Sequence, residues 1–284
     1  MSCLSWNCRG IGNPWIVQEL INMVRMERPD VVFLMETLAE ESKLEQIRVI
    51  LRYDNKLVCP RDGHSGGLAL FWKNTFPLAI NNYSKYHIDA TIQCSKKGRW
   101  RLTGFYGHPE TCKRQESWEF LRHLSRDMDI AWVCLGDFNE ILSIDEKRGG
   151  RQRPERQMQQ FRDALDDCGL MDLGYRGPKF TWFRRNGKEA GIFERLDRGA
   201  ANPAWINTFH EGYVQHLTAA SSDHRPIILR TKNREKGKNR PFQFESMWVG
   251  SKGCEDAVRN SWDEEERDGD METLLNVFSY VLGI

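Results

Sequence analysis

At 284 residues the chain has room for one large domain and a remnant, or for two small domains, and three will not fit. Apolar residues make up 40% of it alongside 23 Gly, which excludes a compositionally disordered chain. The net charge of +1 divides into a basic body, +8 over residues 1–253, and an acidic tail, −7 over residues 254–272, so the body suits a polyanionic partner.

In chain order, residues 1–6 read as a short apolar strand. Residues 14–27 repeat apolar side chains at Trp15, Val17, Leu20, Ile21 and Val24 as a helix does, with Pro14 in the first turn. The continuous apolar run 31–35 is a strand and 40–51 a second helix. From 53 to 106 the pattern changes to successive strands at 56–59, 67–72, 78–83, 87–94 and 100–106, separated by Gly, Pro, Asn and Lys clusters. The opening theme then returns, with a helix at 114–126, a strand at 131–135 and a helix at 156–168. Strands follow at 180–183, 192–196, 213–217 and 226–230.

Two rounds of mixed α and β predict an α/β four-layer sandwich, two packed mixed β-sheets flanked by helices, spanning residues 1–231. Residues 232–253 open on the polar KNREKGKNR and are expected to be a linker. Residues 254–284, apolar at helical spacing up to the last residue, are expected to be a truncated helical segment. The longest apolar stretches, 130–135 and 274–284, fall short of the ~18 residues of a membrane span, and no leader pattern opens the chain, so a soluble, unexported protein is expected. The eight cysteines are scattered without a Cys-x-x-Cys pair, which favours a reducing compartment and disfavours zinc.

The informative residues are those where polar side chains end apolar strands. Ala131 to Leu135 runs into Gly136-Asp137-Phe138-Asn139, placing a carboxylate and an amide two residues apart on one face of extended chain. Val31 to Met35 runs into Glu36, Leu4-Ser5-Trp6 runs into Asn7, and Asp223-His224 precedes the strand at Ile227. Any one of these is as easily a turn. Gathered at one edge of the sandwich they form an oxygen-rich pocket with one imidazole, whose hard ligands favour Mg²⁺ or Mn²⁺ over zinc. Asp197, between Arg195 and Arg198, is the candidate to orient the imidazole of His224, with a surface salt bridge as its alternative.

The ordered set Trp6-Asn7, Glu36-Thr37, Gly104-Phe105-Tyr106-Gly107, Gly136-Asp137-Phe138-Asn139, Arg195-Leu196-Asp197 and Ser222-Asp223-His224 resembles the endonuclease/exonuclease/phosphatase superfamily over residues 1–231. The stretches 5–10, 136–140 and 240–248 look like the endonuclease domain of plant non-LTR (LINE-type) retrotransposons. The resemblance implies a DNase I-like sandwich and metal-dependent hydrolysis of DNA phosphodiesters. It makes Glu36 the principal metal ligand, with Asn7 and Asp223 close to the ion. Asp137 would position or deprotonate the attacking water, Asn139 would bind a phosphate oxygen, Tyr106 would contact the phosphate or leaving oxygen, and His224 would pair with Asp197. One departure stands out: some apurinic-site enzymes of the superfamily carry an acidic residue two places after the first Asn, and this chain has Arg9.

The leading expectation is a Mg²⁺-dependent (or Mn²⁺-dependent) DNA endonuclease that leaves a 3′-hydroxyl and resides in the nucleus, with no membrane or obligatory protein partner. No Tyr/Phe-x-Asp-Asp motif occurs in these 284 residues, so the reverse transcriptase domain of a parent element is expected to be absent from them. An apurinic/apyrimidinic-site repair nuclease or a phosphatase is the enzymatic alternative, and an inactive nucleic-acid-binding remnant the alternative of another class. Arg184, Arg185 and Lys188 beside Trp182, and the loop basics Lys147, Arg148, Arg151, Arg153 and Arg156, are candidate DNA-backbone contacts or solvated charge. Trp182 itself fits core packing better than base stacking.

Overall fold

The computed structural model describes residues 1–62, 65–95, 97–126, 130–186 and 189–232. A compact unit spans Met1–Asn233. The expected linker from residue 233 onward and the expected helical segment 254–284 lie outside the described residues.

The elements follow the apolar patterning. β1 (Ser2–Asn7), α1 (Pro14–Glu27), β2 (Val31–Met35), α2 (Glu41–Leu51), β3 (Asn55–Asp62) and β4 (Ser65–Trp72) open the chain. α1 starts where expected because Asn13 accepts the Trp15 N–H through its side chain and Pro14 presets the first turn. β5 (Leu78–Ser84), β6 (His87–Cys94), β7 (Gly98–Tyr106), α3 (Arg114–Ser125), β8 (Ala131–Asp137) and β9 (Lys147–Arg148) come next. The described chain closes with α4 (Glu155–Asp167), β10 (Met171–Asp172), β11 (Trp182–Asn186), β12 (Glu189–Glu194), β13 (Asp197–Ala201), α5 (Pro203–Thr208), β14 (Tyr213–His216) and β15 (Ile227–Arg230).

Two six-stranded mixed sheets result, ordered β14-β15-β1-β2-β4-β3 and β10-β13-β8-β7-β6-β5, with a small sheet β11-β12-β9 beside them. The sheets pack face to face through one apolar cluster, Val31, Phe33 and Leu70 from the first meeting Ile88, Leu102 and Leu135 from the second. Alternate residues of the first sheet, Leu4, Val32 and Leu34, are buried on its other face, the side of α1 and α2. On the far side of the second sheet, Trp118 and Leu121 of α3 and Phe161 and Leu165 of α4 pack with Trp132 and Cys134. This is the expected four-layer sandwich. Among the described residues no helix is long and apolar enough to cross a membrane.

Four elements lack a sequence signal. β13 (DRGAA) has neither alternation nor β-branched side chains, yet lies fully buried between β8 and β10, where sheet context outweighs propensity. β9 and β10 are two residues each, and α5 is six residues started by Asn202 and Pro203. The strand expected at 180–183 begins instead at Trp182, because Thr181 turns its hydroxyl to the N–H groups of Leu196 and Asp197. Lys147 and Arg153, candidates for DNA-backbone contacts or solvated charge, are instead partly buried in ion pairs: Lys147 with Glu194, and Arg153 with Glu140 at 3.1 Å and Glu194 at 2.6 Å.

Close packing leaves glycine as the residue that fits at several places, Gly104 and Gly136 among them. A Cβ on Gly104 would lie 2.8 Å from the Phe33 ring, and one on Gly136, at φ +153°, would lie 2.0 Å from the Phe105 carbonyl oxygen. Gly136→Ala is therefore expected to lower unfolding stability by roughly 3 kcal/mol in urea denaturation. A loss below about 1 kcal/mol would show that the strand shifts freely.

Candidate active site

Strand direction and register assemble the site. β1 and β2 are parallel, so Asn7 and the residue after Met35 emerge together at the carboxyl end of the first sheet. β7 and β8 are parallel in the second sheet and place Tyr106 opposite Asp137. β13 runs antiparallel to β8 and begins with Asp197 paired to Asp137. β15 runs antiparallel to β1 with Ile227 opposite Ser5, so the preceding turn delivers Asp223 and His224 to the same edge.

The side chains meet across both sheets in a network of hydrogen bonds and ion pairs. The Asn7 amide nitrogen donates to Glu36 Oε1 (2.9 Å) and Asp137 Oδ2 (3.0 Å). Tyr106 donates its hydroxyl to the same Glu36 oxygen at 2.8 Å. Asn139 holds Asp137 from both sides, backbone N–H to Oδ1 at 2.8 Å and Nδ2 to Oδ2 at 3.2 Å, and also donates to the Gly107 carbonyl. His224 lies with Nε2 3.8 Å from Asp137 Oδ2 and Nδ1 2.9 Å from Asp197 Oδ2. Arg9 closes the outer side, Nε 3.3 Å from Glu36 Oε2 and one terminal nitrogen 3.0 Å from Asp223 Oδ2.

All eight candidate residues thus lie in one constellation, and their partners refine what each can do. Both amide hydrogens of Asn7 are engaged with carboxylates, so Oδ1 is the atom it could offer a cation. Both amide hydrogens of Asn139 are likewise engaged, and a phosphate oxygen would take the place of Asp137 Oδ2. Asp197 is 1% exposed and holds His224, while Arg195 and Arg198 pair with Glu146 and Asp172 instead. Arg9, Glu36 and Asn139 have φ of 45°, 49° and 57°, the left-handed region, so backbone strain collects at this edge.

Burial sets the electrostatics. Desolvation pushes the Asp137 carboxyl well above the usual range, against the pull of His224 and the Asn7 hydrogen bond. Burial opposes a charged His224, but Asp197 and then Asp137 outweigh it and raise the imidazole to about 9. The Tyr106 phenol is raised by burial and by Glu36 and Asp137, which makes it a donor and not a base.

Two groups could hold a cation. Among the described residues, ligand atoms of Asp137, Asp197 and His224 lie within 4.8 Å of one another, but this trio is sealed and shares the histidine proton. Glu36 and Asp223, with side chains 15% and 32% exposed, offer accessible hard oxygens, and Asp223 Oδ1 is buried without a hydrogen-bond partner. Four carboxylates against one guanidinium and one imidazolium leave two formal negative charges at this edge. A divalent cation fits that donor set.

Other residues support the site, and of these Glu19 carries no motif. Glu19 on α1 accepts the backbone N–H groups of Ala220 (2.6 Å) and Ser221 (3.1 Å), fixing the turn before Asp223. Ser222 donates to the Asn7 carbonyl at 3.0 Å, and Trp6 Nε1 to the His224 carbonyl at 3.0 Å. Trp182 packs against Ile141, Met158 and Leu196 and donates Nε1–H to Asp223 Oδ2 at 3.1 Å. Trp182 is thus a core residue with a positioning hydrogen bond. Lys188 lies outside the described residues, and Arg184 is exposed.

A family model described as "Endonuclease/Exonuclease/phosphatase family" matches residues 4–224. The fold is similar to that of a 3′-5′ exonuclease (NExo) from Neisseria meningitidis, with TM-score 0.61 and 19% identity over 82% of this chain and 100% of that one. It is also similar to the endonuclease domain of TRAS1, a telomere-specific non-LTR retrotransposon (TM-score 0.59, 13% identity, 82% and 99% covered). A third similar structure is an AP endonuclease from Archaeoglobus fulgidus (TM-score 0.64, 16% identity, 81% and 98% covered).

In an NMR titration His224 is expected to keep its ring proton through neutrality and lose it near pH 9, and Asp197→Asn to bring that midpoint down toward 6.5. The folded value lies above the unfolded one. The stability gained from this proton is therefore complete below about pH 6.5 and fades as pH rises through 9. A wild-type midpoint at or below 6.5 would contradict the pairing.

Proposed function

Because the chain belongs to the endonuclease/exonuclease/phosphatase family, we propose that it is a divalent-metal-dependent DNA endonuclease of LINE-type retrotransposon origin. It nicks one strand to leave a 3′-hydroxyl and works in the nucleus, where its substrate is. The observation that carries this reading is the continuous chain from Tyr106 through Glu36, Asn7 and Asp137 to His224 and Asp197, built from both sheets at one edge. The sequence stretches shared in spelling with plant LINE endonuclease domains support the origin, and the basic body of the chain supports a polyanionic substrate.

Glu36 and Asp223 would hold the ion, with Asn7 Oδ1 beside them. When bound, a divalent cation neutralises phosphate oxygens and the departing 3′ oxygen. Asp137 orients the attacking water and accepts its proton; its raised pKa suits a base working near neutrality, and Asn7 and Asn139 fix its two oxygens. His224, protonated and aimed by Asp197, presents positive charge toward the pentacovalent phosphorus. The Tyr106 hydroxyl, which burial keeps protonated, donates to Glu36 Oε1 and would contact the phosphate or the leaving oxygen.

A supercoiled-plasmid nicking assay tests the reading. Wild type is expected to nick with Mg²⁺, to stop on chelation, and to cut intact duplex as well as duplex with an abasic site. Glu36→Ala, Asp137→Asn and His224→Ala are each expected to slow nicking by ~10² or more. Equal rates in all four proteins would refute the assignment, and cleavage confined to the abasic duplex would move it to a repair nuclease.

A further inference from the structure

Arg9, unlike the imidazolium of His224, which is held by Asp197, puts its positive charge directly on the oxygens a cation needs. Its guanidinium spans Glu36 Oε2 at 3.3 Å and Asp223 Oδ2 at 3.0 Å. Its backbone is pinned independently of that contact. The Arg9 N–H donates to Asn7 Oδ1, while Gly10 and Ile11 donate to the carbonyls of Glu36 and Thr37 at 2.8 and 2.9 Å. The Arg9 stem therefore starts from a fixed point beside Glu36 whatever its rotamer. Its side chain is 47% exposed, so the guanidinium can leave the carboxylates for water at small cost.

We infer that Arg9 is a built-in competitor for the metal site, bridging Glu36 and Asp223 and giving up both oxygens when a divalent cation binds. The inference rests on the metal-dependent reading above. A guanidinium and a divalent cation cannot share these two oxygens without strong like-charge repulsion. Arg9 thus raises the cation concentration at which the site fills. It also spares the fold two facing carboxylates when the ion is scarce, and it leaves a freed positive charge at the mouth of the site once the ion is in.

Mn²⁺ titration of the full chain followed by electron paramagnetic resonance provides the test, with thermal unfolding in chelator as a readout independent of turnover. Arg9→Gln keeps a polar, unbranched side chain at the left-handed backbone position and removes the charge and the guanidinium bridge. It is expected to bind Mn²⁺ at least fivefold more tightly than wild type, to melt lower in chelator, and to regain more on adding Mn²⁺. Arg9→Lys keeps one charge but cannot span both carboxylates, and is expected between the two; it also serves if Arg9→Gln misfolds. Glu36→Gln is expected to lose the site. Equal or weaker Mn²⁺ binding by both Arg9 variants, with wild-type binding still dependent on Glu36, would overturn the competition and leave the metal-dependent reading standing. Wild-type protein that binds no Mn²⁺, or binds it regardless of Glu36, would overturn both.

Discussion

Asp137 is a carboxylate with no exposure to water at the meeting point of two sheets, and the site is arranged around the need to satisfy it. An unpaired buried charge would neutralise itself by taking a proton; a carboxylate locked by an arginine would be inert. Neither holds here. Its oxygens receive two amide groups, from Asn7 and Asn139, and face an imidazole at 3.8 Å. Neutral donors fix its position without cancelling its charge, which leaves it able to exchange a proton with a bound water.

The same need binds the two sheets together. Asn7 belongs to the first sheet and Asp137 to the second, so the bond between them spans the sandwich at its edge. Met35 adds a second link, its sulfur accepting the Asp137 N–H at 3.4 Å. Beyond these strand ends the turn that carries His224 is tied to β1 through Ser222 and Trp6, to α1 through Glu19, and to the start of β11 by the backbone pair of Trp182 with His224. Loops that hold catalytic groups are ordinarily mobile. Here each is fastened to a strand end, so the geometry derives from the sheets and not from the loops.

Much of this was legible in the sequence, for a physical reason. A central strand covered on both faces is a continuous apolar run, and the first polar residue beyond it marks where the strand leaves the core; Met35 to Glu36 and Leu135 to Asp137 are such points. Which strand ends share an edge depends on pairing direction, which local pattern does not encode, so the convergence needed the ordered motif set to be foreseen. β13 stayed hidden because Asp-Arg-Gly-Ala-Ala has no pattern of its own and is a strand only between its neighbours. Glu19 stayed hidden because its partners are backbone groups some two hundred residues away. The paired roles of Lys147 and Arg153 stayed hidden because charge in a loop reads as solvated until a buried acid is found beside it.

Burial alone does not separate the acids of the candidate site from structural ones, since Glu140, Glu146, Asp172 and Glu194 are also sheltered. The distinction lies in who answers them. Arg198 reaches Glu146 and Asp172, each at 2.7 Å, and Arg195 reaches the same two acids at 2.7 and 2.8 Å, a closed quartet of two positive and two negative groups. Those arginines hold both carboxyls below the ordinary carboxylate range despite burial. Glu140 is likewise held by Arg114 and Arg153, and Glu194 by Lys147 and Arg153. Such acids have no charge left to offer a ligand and serve as a rigid ionic backing behind the strand ends. Among the described residues, Glu36, Asp137, Asp197 and Asp223 are answered mostly by amides, a phenol, an indole and one imidazole, and the guanidinium that reaches them, that of Arg9, is half in solvent. Among the described residues the acids of this edge are thus far less neutralised by basic side chains than the ion-paired acids behind them, and the negative potential left there would draw a cation.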